Sequence, residues 1–137
     1  MTSRATLDPR THPAIVLIGT SLASLMRLTL PFSEMRYGVT TIEAERPLRA
    51  AQRWLRTAPA AMIIVLDGDE NMADVRALLE AGGDARCLFL VADLPPRAAL
   101  ARIVSAHGGA IVGSEESAAV IAGTLVALLT DRAEEPA

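Results

Sequence analysis

The sequence predicts an α/β domain in three layers, a five-stranded parallel sheet wound doubly by helices. Three observations carry this. Short apolar runs recur five times, and a segment with helical spacing follows each of them. The runs are continuous rather than alternating, as in strands covered on both faces, and right-handed crossovers then place helices on either side. The chain has 137 residues, 51% of them hydrophobic, enough for one compact domain and too few for two.

The elements follow in order. Residues 1–13 are polar, contain Pro9 and Pro13, and read as a flexible lead-in. Ala14–Gly19 is a strand, β-branched at Ile15, Val16 and Ile18, and Thr20 and Ser21 are candidate helix caps. Leu22–Leu30 has helical spacing, with Pro31 disturbing its far end. Val39–Glu43 reads as a strand. Pro47 suits the first turn of the next helix, where Leu48, Ala51, Trp54 and Leu55 share one face and Arg49, Arg53 and Arg56 another. Ala61–Leu66 is an apolar strand and ends at Asp67. Met72–Gly82 is helical and stops at Gly82–Gly83. Cys87–Val91 is the fourth strand, and Asp93 is expected to cap a helix begun by Pro95 and Pro96, with Leu100, Ile103 and Val104 inward. Ala110–Val112 is the fifth. Ser114, with Glu115 and Glu116 in the first turn, opens a last helix through Thr130. The domain is thus expected over residues 14–131, with 132–137 a charged tail or linker stub.

Composition excludes several classes. All thirteen basic residues are arginine, so Schiff-base chemistry and any lysine grip on phosphate are out. The single cysteine, Cys87, allows neither a disulfide framework nor a cysteine-based zinc site, and in an apolar strand it packs as a small hydrophobe. A formal charge of −3 argues against direct nucleic-acid binding. No apolar run approaches the ~18–20 residues of a membrane span, and a cytoplasmic location is expected. His12 lies in the lead-in, and His107 closes the fourth helix, where it suits the helix dipole better than catalysis. No nucleophile elbow or Gly-x-Gly-x-x-Gly loop occurs, and the reading is not an enzyme.

In doubly wound sheets, sites gather at the carboxyl ends of the strands. Asp67 is the one carboxylate placed directly at such an end, fit for a nucleophile or metal ligand, or for a turn in Asp67-Gly68-Asp69. The first strand ends in Gly19-Thr20, the fourth in Val91-Ala92 and the fifth in Gly113-Ser114, so none offers an acid, a hydroxyl ahead of Ala92, or a cation.

Five β-α units with an aspartate ending the third strand resemble the receiver domains of two-component response regulators. The resemblance runs from Ala14 to about Asp131 and rests on Ala61–Asp67 (AMIIVLD) and Gly108–Val112 (GGAIV). It implies a flavodoxin-like sheet of order 2-1-3-4-5 and assigns the phospho-acceptor position to Asp67. It also marks what this chain lacks. The acidic pair falls on Gly19 and Thr20, the switch hydroxyl on Val91, and the lysine on Gly113 and Ser114. Mg²⁺ would keep at most Asp67 and a backbone carbonyl, so weak or no metal binding is expected. Phosphoryl transfer depends on charge stabilisation that these positions no longer offer.

The resemblance therefore implies a pseudo-receiver, acting in signal transduction by protein–protein interaction with a partner or a fused output domain. A weakly active phospho-receiver using Asp67 and Asp69 is one alternative, and a small-molecule-binding flavodoxin-like domain another. The last helix offers Val120, Ile121, Leu125, Val126, Leu128 and Leu129 as an interaction face, or as a well-buried stripe, and a homodimer through it is expected.

Overall fold

The computed structural model describes residues 14–68, 70–83 and 85–134, with side chains described through residue 130. Five strands, β1 (Ala14–Gly19), β2 (Gly38–Glu43), β3 (Ala61–Leu66), β4 (Arg86–Val91) and β5 (Ala110–Gly113), alternate with helices. The helices are α1 (Leu22–Met26), α2 (Thr29–Glu34), α3 (Pro47–Trp54), α4 (Met72–Ala81), α5 (Ala98–Ala106) and α6 (Ala118–Glu134), and a 3₁₀ turn at Leu55–Thr57 follows α3. All strand pairs are parallel, and the order is β2-β1-β3-β4-β5, as expected.

The continuous apolar strands make sense once the two faces are separated. In β1, Val16 and Ile18 join one core while Ile15 and Leu17 join the other. The first core holds Met62, Ile64, Phe89 and Val91 against Leu48, Val75, Leu78, Leu100 and Val104 of α3, α4 and α5. The second holds Ile63, Leu88 and Leu90 against Leu25, Leu28, Phe32, Ile121 and Leu125, from α1, α2, α6 and the α1–α2 turn. Each such side chain contributes roughly 1.5–3 kcal/mol by leaving water. Strand β2, at the sheet edge, has no fully buried residue.

Several boundaries differ from expectation, each for a physical reason. Leu22–Leu30 is not one helix; it breaks at Arg27–Leu28, which keeps Leu25, Leu28 and Phe32 all in the core. Pro31 lies inside α2, in its first turn, where a missing N–H costs no helical hydrogen bond. Asp93 caps nothing. The chain bends over residues 92–95, α5 starts at Ala98 behind Arg97, and Asp93 stands too far upstream to reach its amides. Ser114 does not open α6: its N–H donates to the Val91 carbonyl at 2.8 Å, prolonging the β4–β5 ladder. Ser117 is the cap, its Oγ accepting from the Val120 N–H at 3.2 Å, so Glu115 and Glu116 precede the helix. Helix α6 continues to Glu134, so residues 132–134 of the expected tail are helical. The lead-in 1–13, with His12, and Asp69 lie outside the described residues. Among the described residues no helix is long and apolar enough to cross a membrane.

Candidate functional site

The parallel register brings the strand ends together. Leu66 is level with Val91, Val91 with Gly113, and Ile18 with Ile64, so Asp67 leaves β3 among the positions singled out above. Its side chain is exposed between two clefts. One, of about 310 Å³, lies toward Glu45, Arg46, Arg49 and Asp74; the other, of about 110 Å³, lies toward Val91, Asp93, Pro96 and Arg97.

Glu70 organises this loop. Its carboxylate accepts the Asp67 N–H on Oε2 and the Gly68 N–H on Oε1, the latter at 2.9 Å. Gly68 has φ +109°, which its lack of a side chain permits. Arg97 Nη2 donates to the Glu70 carbonyl at 3.1 Å, and Asn71 Oδ1 caps α4 by accepting from the Ala73 N–H at 2.8 Å. The second carboxylate beside Asp67 is thus engaged by the backbone.

At the end of β1, Gly19 is buried and Thr20 exposed. A Cβ at Gly19 would lie 3.2 Å from both Leu25 Cδ2 and Val65 Cγ2, so an acidic side chain there would have to displace core atoms. The nearby acid, Glu43, is used as a cap and accepts the Leu22 N–H at 3.1 Å. Val91 is buried in the first core. At Gly113, a Cβ would meet Leu94 Cδ1 at 3.0 Å, because Leu94 crosses from the β4–α5 loop over the lysine position.

Two residues that sequence reasoning missed hold this end together. Arg27, at the close of α1, donates from Nη2 to the Ser114 carbonyl at 2.6 Å and from Nη1 to the Glu116 carbonyl at 3.3 Å. Leu94 is the other. Neither leaves a sequence signal, since one acts through backbone carbonyls 87 and 89 residues away and the other through a loop path.

Chemically, the end offers Asp67 as an exposed carboxylate, Arg97 as a cation in the smaller cleft, and no hydroxyl at Val91. Glu70 is taken by amides, and among the described residues no three His, Cys, Asp or Glu converge as metal ligands. Away from this end, His107 Nδ1 donates to the Ile103 carbonyl at 2.9 Å, within its own helix. Cys87 is 2% exposed and lies in the first core.

The proposed face on α6 is mostly core. Ile121 and Leu125 are fully buried, and Leu128 and Leu129 pack against the same cluster, so the stripe covers the sheet. Of the six residues, Val120 is exposed and Val126 half-buried.

No family model matches the chain, and no curated protein matches it. Solved structures do. A two-component response regulator of the LuxR family from Aurantimonas sp. superposes with a TM-score of 0.68 at 19% identity, over 88% of this chain and 86% of that one. A putative pilus assembly-related protein from Burkholderia pseudomallei gives 0.70 at 14% identity, over 90% and 94%. The response regulator domain of Thermotoga maritima CheB gives 0.65 at 13% identity, over 91% and 99%. At these identities the likeness is one of fold: the chain has the flavodoxin-like fold of response-regulator receiver domains.

Proposed function

We propose that this chain is a pseudo-receiver, a cytoplasmic signal-transduction module that works by binding a protein partner or an attached output domain. In this reading it is not an enzyme, needs no cofactor, contacts no nucleic acid directly, and does not undergo normal aspartyl phosphorylation. One observation carries the reading: Asp67 keeps the acceptor's place while the positions that would serve it are Gly19, Thr20, Val91, Gly113 and Ser114. The local packing supports it further. Val65 and Leu25 crowd Gly19, Leu94 lies over Gly113, and Arg27 already holds the loop after β5. A phosphoryl group on Asp67 would meet neither a lysine at Gly113 and Ser114 nor a hydroxyl at Val91, and without those differential contacts it would have little means to shift an equilibrium. The Aurantimonas protein's description as a two-component regulator supports the signalling context.

The exposure of Asp67 favours a second reading, a weakly active phospho-acceptor. Incubation with acetyl phosphate and Mg²⁺, followed by intact-mass measurement, separates the two. The expected result is no adduct above that of Asp67→Ala. Stoichiometric labelling that Asp67→Ala abolishes would establish the second reading instead. Self-association is assigned to the outer side of α6 at Val120 and Val126, and with so little apolar surface it should be weak.

A further inference from the structure

From Arg46 to Leu66 the chain carries four arginines, Arg46, Arg49, Arg53 and Arg56, and no acidic residue. Spacings of three and four residues put them on one side of α3 and the turn after it. All four are exposed, and none of their guanidinium groups has a hydrogen-bond or ion-pair partner among the described residues. A solvated helix face ordinarily interleaves opposite charges at three and four residues, because like charges there repel. This one stacks a single sign.

Arg46, Arg49 and Arg53 border a groove of about 360 Å³ between α3 and the edge strand β2. Its floor is apolar, formed by Ile42, Ala44, Ala50 and the half-buried Trp54, and Arg46, Arg49 and Arg53 form the rim. The facing acids are few. Glu43 is committed to the Leu22 amide and Glu70 to the Asp67 and Gly68 amides, which leaves Glu45 in this groove, Asp74 of α4 across a neighbouring hollow lined by Arg49, Arg53 and Arg56, and Asp67 across the cleft it shares with Arg46 and Arg49. Four guanidinium groups therefore face three uncommitted carboxylates, in a chain whose formal charge is −3.

An apolar floor with a cationic rim selects a ligand that is apolar on one side and acidic on the other. Guanidinium forks bind carboxylates in pairs, and a half-buried tryptophan gives apolar side chains an anchor. Arg46 to Arg56 spans about 15 Å along a helix axis, matching two to three turns of a partner helix. Nucleic acid fits less well: the floor carries no cation, and the chain's net negative charge opposes approach of a polyphosphate. We propose that the groove between α3 and β2 docks an acidic amphipathic helix of a protein partner. This rests on the reading of the chain as a binding module and names where its partner sits.

Trp54 is the only tryptophan, so its fluorescence reports on the groove directly. The test titrates the full chain with a synthetic peptide of about four helical turns, with glutamates along one side and leucines along the other. Binding is expected to shift Trp54 emission to the blue, to weaken as salt is raised, and to weaken at least about tenfold in Arg49→Glu/Arg53→Glu. Both arginines are exposed, so that variant should keep its fold, and circular dichroism checks it. Equal affinity for the peptide with every glutamate replaced by glutamine would overturn the proposal, as would binding without a change at Trp54. Tighter binding of an oligonucleotide of equal charge would assign the face to nucleic acid instead. Asp67 labelling by acetyl phosphate would overturn the pseudo-receiver reading and leave the groove standing, so the two can fail separately.

Discussion

Asp67 has a carboxylate in solvent at the end of a buried strand, and Gly19, Thr20, Val91, Gly113 and Ser114 stand at the neighbouring strand ends. Its place was legible because Ala61–Leu66 is an unbroken apolar run and the first charged residue after it must fall at the strand's exit. Glu70, Arg27 and Leu94 were not legible in their roles, because each acts through backbone groups or across loops whose paths no periodicity encodes. Cys87 allows a prediction at this scale. Burial pushes its thiol up from 9.0 to about 12. Below pH 9 the thiol is neutral folded or unfolded and has no effect on stability. Between pH 9 and 12 the unfolded thiol ionises while the folded one keeps its proton, so stability falls as pH rises, by on the order of 4 kcal/mol across the window. Urea midpoints measured from pH 8 to 11 should therefore fall more steeply in the native chain than in Cys87→Val. Identical slopes would contradict this, as would rapid reaction of the native thiol with Ellman's reagent at pH 8.

Among the elements, the strands were the most readable and the helix starts the least. A strand buried on both faces advertises itself by continuity, and all five were found to within a residue at each end. Helix starts depend on which of several polar residues turns toward an amide. Ser114 and Ser117 are both plausible caps three residues apart, and the choice is made by the sheet, which draws the Ser114 N–H onto the Val91 carbonyl. The break between α1 and α2 has the same origin, since the core takes Leu25, Leu28 and Phe32 and the helix axis yields. Ser117→Ala should cost about 1 kcal/mol in urea unfolding, the usual loss for a cap, whereas Ser114→Ala should stay within about half of that. Equal costs would mean that Ser117 is not the cap. Arg27→Ala should speed amide exchange in the loop between β5 and α6, because the Ser114 and Glu116 carbonyls lose their donor. Unchanged exchange there would deny Arg27 its tethering role.

For the whole molecule, layer order followed from the β-α rhythm and strand order from the family resemblance, yet the apportioning of α6 between core and surface followed from neither. Its apolar stripe is wide because it closes the second core across β4 and β5, a demand invisible until the sheet is assembled. This changes which substitution can test self-association. Leu125 is fully buried, so Leu125→Glu would place an unpaired charge in the core and unfold the chain, at a cost of several kcal/mol. Its effect on association would then say nothing about an interface. Val120 is 47% exposed, so Val120→Glu should leave stability within about 1 kcal/mol. A standard interface buries about 800 Å² on each partner, far more than Val120 and Val126 supply, so the chain should be monomeric at micromolar concentration. Sedimentation equilibrium should show dimer only as the concentration approaches millimolar, and Val120→Glu should remove it. A stable dimer at micromolar concentration that survives Val120→Glu would place the interface elsewhere on the molecule.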